Sequence, residues 1–131
     1  MSKPKVLLLD DEAIVGNRLK SGLERIGCDV EVFQDPQKAL NRIAEQSFAI
    51  IVTDIMMEQV NGIQILEQAK QANPACQVVV ITGFATTDLA REAMEKGAFD
   101  VLAKPFRPAD LRAVVVRAMH KLGFSPVEEA T

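Results

Sequence analysis

The feature that most narrows what this chain can fold into is a change of hydrophobic period that recurs along it. Short apolar runs are each followed by a longer stretch with helical spacing. The runs are Lys5–Leu9 (KVLLL), Asp29–Phe33 (DVEVF), Ala49–Thr53 (AIIVT), Gln77–Thr82 (QVVVIT) and Val101–Ala103 (VLA). Side chains alternate across a strand and return to one face every three or four residues on a helix, so the pattern reads as strand then helix, five times. The first, third and fourth runs are continuously apolar, as in strands covered on both faces. The second alternates, with Val30 and Val32 on one face and Asp29, Glu31 and Phe33 on the other, which suits an edge. The fifth is very short and stops before Lys104 and Pro105, which suits the opposite edge.

The intervening stretches carry one apolar face each. Glu12–Ile26 presents Val15, Leu19, Leu23 and Ile26. Asp35 is placed to N-cap a helix over Pro36–Gln46, with Pro36 at its first position and Ala39, Leu40 and Ile43 facing inward. Gly62–Asn73 carries Ile63, Ile65, Leu66 and Ala69 and ends at Asn73-Pro74. Thr86–Lys96 carries Leu89, Ala90, Ala93 and Met94 and stops at Gly97. Pro108–Leu122 carries Leu111, Val114, Val115, Ala118 and Leu122 and stops at Gly123.

Five β-α units imply an α/β fold: a single doubly wound, five-stranded parallel sheet with helices on both faces. With the second and fifth strands at the edges, the strand order is 2-1-3-4-5 and the switch point lies between strands one and three. A ligand is expected there, at the carboxyl ends of the strands. At about 150 residues per domain, 131 residues make one domain. Residues 1–124 form it, and the polar stretch 125–131 (SPVEEAT) reads as a flexible tail or the start of a linker.

Composition excludes several classes. Hydrophobic residues at 48% and charged residues at 25% are globular proportions, so disorder is not expected. A net charge of −3 supplies no global basic field for nucleic acid. No apolar run approaches the roughly 20 residues of a membrane span, and the apolar run after Lys5 is too short for a signal peptide. The cytoplasm is therefore the default location. Cys28 and Cys76 match no metal or redox spacing and read as buried small hydrophobes.

Chemistry concentrates at the switch point. Strand one ends at Asp10-Asp11, with Glu12 next, and strand three ends at Asp54. A single such acid reads as solvated, or as an N-cap of the first helix. Three on adjacent strand ends repel one another, and a hard divalent cation with oxygen ligands and several waters, Mg²⁺, relieves them best. Strand four ends in Thr82-Gly83 and strand five in Lys104-Pro105. Alone, Thr82 is a turn residue and Lys104 a surface lysine. With the acids, a hydroxyl donor, an ammonium and a glycine whose N–H can approach an anion closely form a set suited to phosphoryl transfer to a carboxylate.

At these residues the sequence resembles the receiver domains of two-component response regulators. The matching pieces are VLLLDDE at 6–12, IIVTDIMM at 50–57 with Gly62 eight residues after Asp54, VVVITG at 78–83 and GAFDVLAKPF at 97–106. They follow the family's order and cover nearly the whole chain. The resemblance implies a flavodoxin-like (βα)5 fold and a phosphoacceptor role for Asp54, served by a sensor histidine kinase, a phosphotransfer protein or a small phosphodonor. It implies Mg²⁺ held by Asp11, Asp54 and the backbone carbonyl of Met56, with Asp10 acting mostly through metal-bound water. Lys104, Thr82 and backbone N–H groups, Gly83 among them, would contact the phosphoryl oxygens. Output would pass through the surface of helix four, strand five and helix five, to a downstream protein, an output domain or a second copy. On helix five, Ala113 and Val116 lie off the main stripe, as a partner patch or as ordinary surface apolars. No external substrate is expected to be turned over, and the protein would be a cytoplasmic phosphoprotein that touches neither membrane nor nucleic acid directly.

The chain departs from the family pattern at three places. Val101 stands where an aromatic residue is usual, three positions before Lys104, and a β-branched side chain has little rotamer freedom to swing. Phe99, two positions earlier, is expected by strand alternation to share the face of Val101. Glu58 stands where a proline usually follows Met56-Met57. Met56 and Phe84, at positions that tune phosphoryl lifetime, are apolar.

Other chemistries fit less well. An aspartyl phosphohydrolase would place an acid two residues after its nucleophile, and Met56 stands there after Asp54. A flavin site would want a hydroxyl-rich first loop and ring-stacking aromatics, and the chain has neither Trp nor Tyr. GxxxxGK[ST] is absent. His120, the single histidine, favours a helix C-terminus more than phosphotransfer. The remaining alternative is a receiver-fold interaction module that works without phosphorylation. Because neither Met56 nor Phe84 can orient an attacking water, an aspartyl phosphate on this chain is expected to outlast seconds by a wide margin. Polar substitutions at these two positions should shorten its lifetime, followed by intact mass against time.

Overall fold

The computed structural model describes residues 3–55, 61–83 and 87–127. Strands β1 (Lys5–Leu9), β2 (Asp29–Phe33), β3 (Ile50–Asp54), β4 (Gln77–Thr82) and β5 (Asp100–Ala103) alternate with helices α1 (Ala13–Arg25), α2 (Pro36–Glu45), α3 (Gly62–Ala72), α4 (Thr87–Glu95) and α5 (Pro108–Leu122). The strands form one sheet in the order β2-β1-β3-β4-β5, with every pair parallel. Helix ends fall within a residue of the expected ones; the expected start of α4 at Thr86 lies outside the described residues. β3 runs one residue further than its apolar run, because Asp54 stays in register with Ile81.

The two sheet faces carry separate cores. Val6, Leu8, Ile50, Val52, Val79 and Ile81 project to one side and pack with α1 and α5. Leu7, Leu9, Ile51, Val78 and Val80 project to the other and pack with α2, α3 and α4. Continuous apolar runs in β1, β3 and β4 are thus explained: each residue is covered, whichever way it points. The expected helix stripes are buried or half-buried, Val15, Leu40, Leu89, Ala90 and Leu122 being half-buried, with one exception. Met94 of α4 is 48% exposed, and Ala93 supplies the buried contact in its place. α4 is short and touches only one edge of its sheet face, so a full two-residue-wide stripe finds no room there.

Caps fix the helix starts. Asp35 Oδ1 accepts from Gln37 N at 2.9 Å, with Pro36 in the first turn. Asn61 and Gln64 bond reciprocally at the head of α3. α1 has no cap from its own Glu12 side chain; the Glu12 N–H goes to Asp10 Oδ1 at 2.8 Å. At the far end of the sheet, Gly27 adopts φ +101° and the N–H of Val127 donates to Ile26 O at 2.9 Å. Residues 125–127, expected to belong to a flexible tail, therefore run beside the α1–β2 turn. Among the described residues, no helix is long and apolar enough to cross a membrane.

Cys28 and Cys76 are both buried and free, in the cores on opposite faces of the sheet. Burial pushes the Cys28 thiol up to about 11 and the Cys76 thiol up to about 12. Since the thiolate is the reactive form, both should resist a thiol-specific disulfide reagent at pH 8 in the native protein. Both should react promptly in denaturant, with absorbance reading the two phases.

Candidate functional site

The strand order brings the carboxyl ends of β1 and β3 side by side, with β4 and β5 beyond. Asp10 follows β1 and is 2% exposed; Asp54 closes β3 and is 8% exposed. Carboxylates are almost never this buried unless they have partners. Lys104 supplies one: its Nζ lies 3.0 Å from Asp54 Oδ2. The lysine reaches the crevice because its own N–H bonds Thr82 O at 2.8 Å, which holds the end of β5 against β4. The Lys104–Pro105 bond is cis.

Electrostatics follow from this crowding. Burial raises the pKa of Asp10; the Glu12 N–H and Lys104 pull it back, while Asp11 and Asp54 push it further up. For Lys104, burial disfavours the ammonium, yet the hydrogen bond and charge of Asp54, with Asp10 and Glu12 behind it, outweigh that and raise its pKa. The crevice is therefore short of positive charge, with one lysine among several carboxylates. Asp11 is exposed at the mouth. Among the described residues, no three Asp, Glu, His or Cys side chains are grouped so that they alone could hold a metal ion. Oxygen ligands suit a hard cation that keeps several waters, and Asp10, Asp11 and Asp54 are the acids this crevice offers.

Thr82 is buried at the end of β4, and Gly83 is exposed beside it, on the rim shared with Lys104. A side chain at Gly83 would meet nothing within 4 Å, so the backbone there is open to an approaching group. Met56, Glu58 and Phe84, singled out from the sequence, lie outside the described residues. Val101 is half-buried and packs on the α2–α3–α4 side. Phe99 packs on the opposite side, in the core under α1 and α5, and does not share the face of Val101 as alternation suggested. The reason is local: β5 begins only at Asp100, and the turn after Gly97 (φ +101°) resets the direction of Phe99. Its ring lies beneath Arg117 and Lys121, 5.8 and 5.7 Å from their charged groups, and Arg117 also binds Asp100 at 2.7 Å. Val116 packs against the core, leaving Ala113 as the exposed member of that pair on α5.

Two contacts on Asp54 went unread in the sequence. Thr53 Oγ1 donates to Asp54 O at 3.0 Å. Gly62, the first residue of α3, lies so close that a Cβ there would come within 2.6 Å of Asp54 O and 2.7 Å of Ile55 Cα. Its N–H donates to Ile55 O at 2.9 Å. A glycine opening an otherwise well-formed helix was the available signal.

Comparison with known proteins gives a consistent picture. The family model for the response regulator receiver domain matches residues 6–116. The chain is 32% identical over 120 residues to the transcriptional regulatory protein FixJ of Bradyrhizobium diazoefficiens, covering 92% of this chain and 58% of that protein. The chain thus spans less than two thirds of such relatives. A response regulator from Burkholderia pseudomallei, solved with a phosphorylated aspartic acid, calcium ion and citrate, superposes with a TM-score of 0.79 at 26% identity, over 92% of this chain and 71% of that one. The beryllofluoride-activated NtrC4 receiver domain dimer superposes at 0.83 with 31% identity, over 89% and 97%.

The Gly62 contact sets a test of sign. In an open helix position, Gly→Ala stabilises by about 1 kcal/mol. Here the new methyl meets backbone atoms, and overpacking of that kind costs about 1–3 kcal/mol. Gly62→Ala is expected to lower stability in urea unfolding.

Proposed function

Because this chain belongs to the response regulator receiver family of two-component signalling, we propose that Asp54 is its phosphoacceptor and that it works as a phosphorylation-driven switch. The single observation that carries the reading is the Lys104–Asp54 pair inside a crevice otherwise dominated by carboxylates. An Asp54 oxygen would attack phosphorus in line, and the bond from phosphorus to the donor's leaving atom would break. Lys104, already at Asp54, would neutralise charge on the phosphoryl oxygens; Thr82 Oγ1 and the Gly83 N–H would donate to them. Mg²⁺, held by Asp11, Asp54 and the Met56 carbonyl with Asp10 acting through water, would supply further positive charge. The Burkholderia relative's phosphorylated aspartic acid and calcium ion support this reading.

The donor would be a histidine kinase or a phosphotransfer protein, and the product a covalent signal on the protein rather than a released compound. The output surface we assign to α4, β5 and α5. On it the Asp100–Arg117–Phe99 cluster gives β5 and α5 a shared, charged contact, and the NtrC4 receiver dimer makes a second copy one candidate occupant. Output would follow from a shift between two conformations, biased by the extra charge at the strand ends.

Incubation with acetyl phosphate and Mg²⁺, read by intact mass, tests the assignment. One phosphoryl adduct is expected on the wild type, dependent on Mg²⁺ and absent in Asp54→Asn. A folded wild type that gives no adduct and binds no Mg²⁺ would overturn it in favour of a phosphorylation-independent interaction module.

A further inference from the structure

Beside the acidic crevice, between α1 and the loop joining β5 to α5, lies a cavity of about 470 Å³. That volume falls in the range that holds a small organic molecule, roughly 300–1,000 Å³. Val15 and Leu19 of α1 form one wall, and Pro105 and Phe106 the other. Lys104 and Gly83 line it as well, and Lys104 Nζ bonds Asp54. Arg18 lines it too and makes no hydrogen bond or ion pair among the described residues. Glu12 at the same rim opposes Arg18, so the net positive charge on offer is small and the apolar walls carry the discrimination.

A half-open, mostly apolar groove that includes Lys104 of the phosphoryl site, with the exposed Arg18 guanidinium along it, fits one end of a particular molecule. We infer that it receives the leaving group of a small acyl phosphate whose acyl part is apolar and about the size of a phenyl ring. The inference rests on Asp54 being the phosphoacceptor. The reaction is an exchange between two acyl phosphates. An Asp54 oxygen forms a bond to phosphorus, the bond from phosphorus to the acyl oxygen breaks, and the electron pair leaves with the donor's carboxylate. Asp54 enters as a carboxylate, so no proton is transferred, and no oxidant or further reactant is needed. The departing carboxylate is left beside Arg18, and its apolar body among Val15, Leu19 and Phe106.

Benzoyl phosphate and acetyl phosphate make the comparison. Benzoate is a somewhat weaker base than acetate, so intrinsic reactivity alone favours benzoyl phosphate a few-fold, and the fall of the rate ratio in cavity variants carries the test. A well-housed apolar group is worth at least about tenfold in the second-order rate constant. The rate of Asp54 phosphorylation, read by intact mass, is therefore expected to be about tenfold higher for benzoyl phosphate on the wild type. Val15→Phe, which fills the cavity, and Phe106→Ala, which removes a wall, should each bring the ratio of the two rates toward one. Each ratio is taken on a single protein sample, so a partly unfolded variant lowers both rates and leaves the ratio readable. A wild-type ratio near one, with both donors forming the adduct, overturns the inference and leaves the acceptor assignment standing. An elevated ratio that survives in Val15→Phe and Phe106→Ala also overturns it, by placing the preference elsewhere. No adduct from either donor on folded wild type removes the acceptor assignment itself.

Discussion

Two buried carboxylates at neighbouring strand ends are the constraint around which this structure is arranged. A parallel sheet puts all its carboxyl ends on one side, and the 2-1-3 order sets Asp10 and Asp54 next to each other there. Removing ionised groups from water costs several kcal/mol each unless something compensates. The compensation is spread over the chain. Asp10 accepts the N–H that opens α1, Asp54 holds Lys104 from the last strand, and the two cores on either side of the sheet keep β1 and β3 in place. Even so, Asp10 and Lys104 are both left with raised pKa values, which marks a place still short of positive charge. That shortage, more than any single side chain, is what suits the crevice to a cation.

Most of the architecture was legible because it rests on period and punctuation. The continuous apolar runs of β1, β3 and β4 could only be strands covered twice, and the alternating β2 could only be an edge. Asp35-Pro36 and Gly123 marked helix ends through cap chemistry that acts within a few residues. The acids and the lysine were legible for a related reason. Strand ends on one side of a parallel sheet lie at one edge of it, so strand order alone placed Asp54 and Lys104 on the same side, one strand apart.

What was not legible depended on exact direction. Alternation assigns a face only inside a strand, and Phe99 sits one residue before β5, where the turn after Gly97 decides its direction. Met94 follows the helical stripe of α4, yet the helix lies too near the sheet edge to cover it. Asp10 combined two readings that the sequence set against each other: it holds the first N–H of α1 and also faces the other acids. Gly62 and Thr53 were visible only as members of a motif and of a strand. The Thr53 bond to the Asp54 carbonyl and the close approach of Gly62 behind it needed coordinates, since no pattern of period or charge points to either.

These contacts give the two halves of the site different mechanical character. Asp54 is clamped: β3 is paired on both sides, Thr53 holds its carbonyl, and the head of α3 is bonded to the next residue through Gly62 N–H and Ile55 O. Lys104 hangs from β5, a four-residue strand paired only with β4. The anvil is thus fixed and the hammer is on a spring. Of the two strands β5 is the less anchored, so displacement at the strand ends costs least there, along an edge where Asp100 and Phe99 are tied to α5.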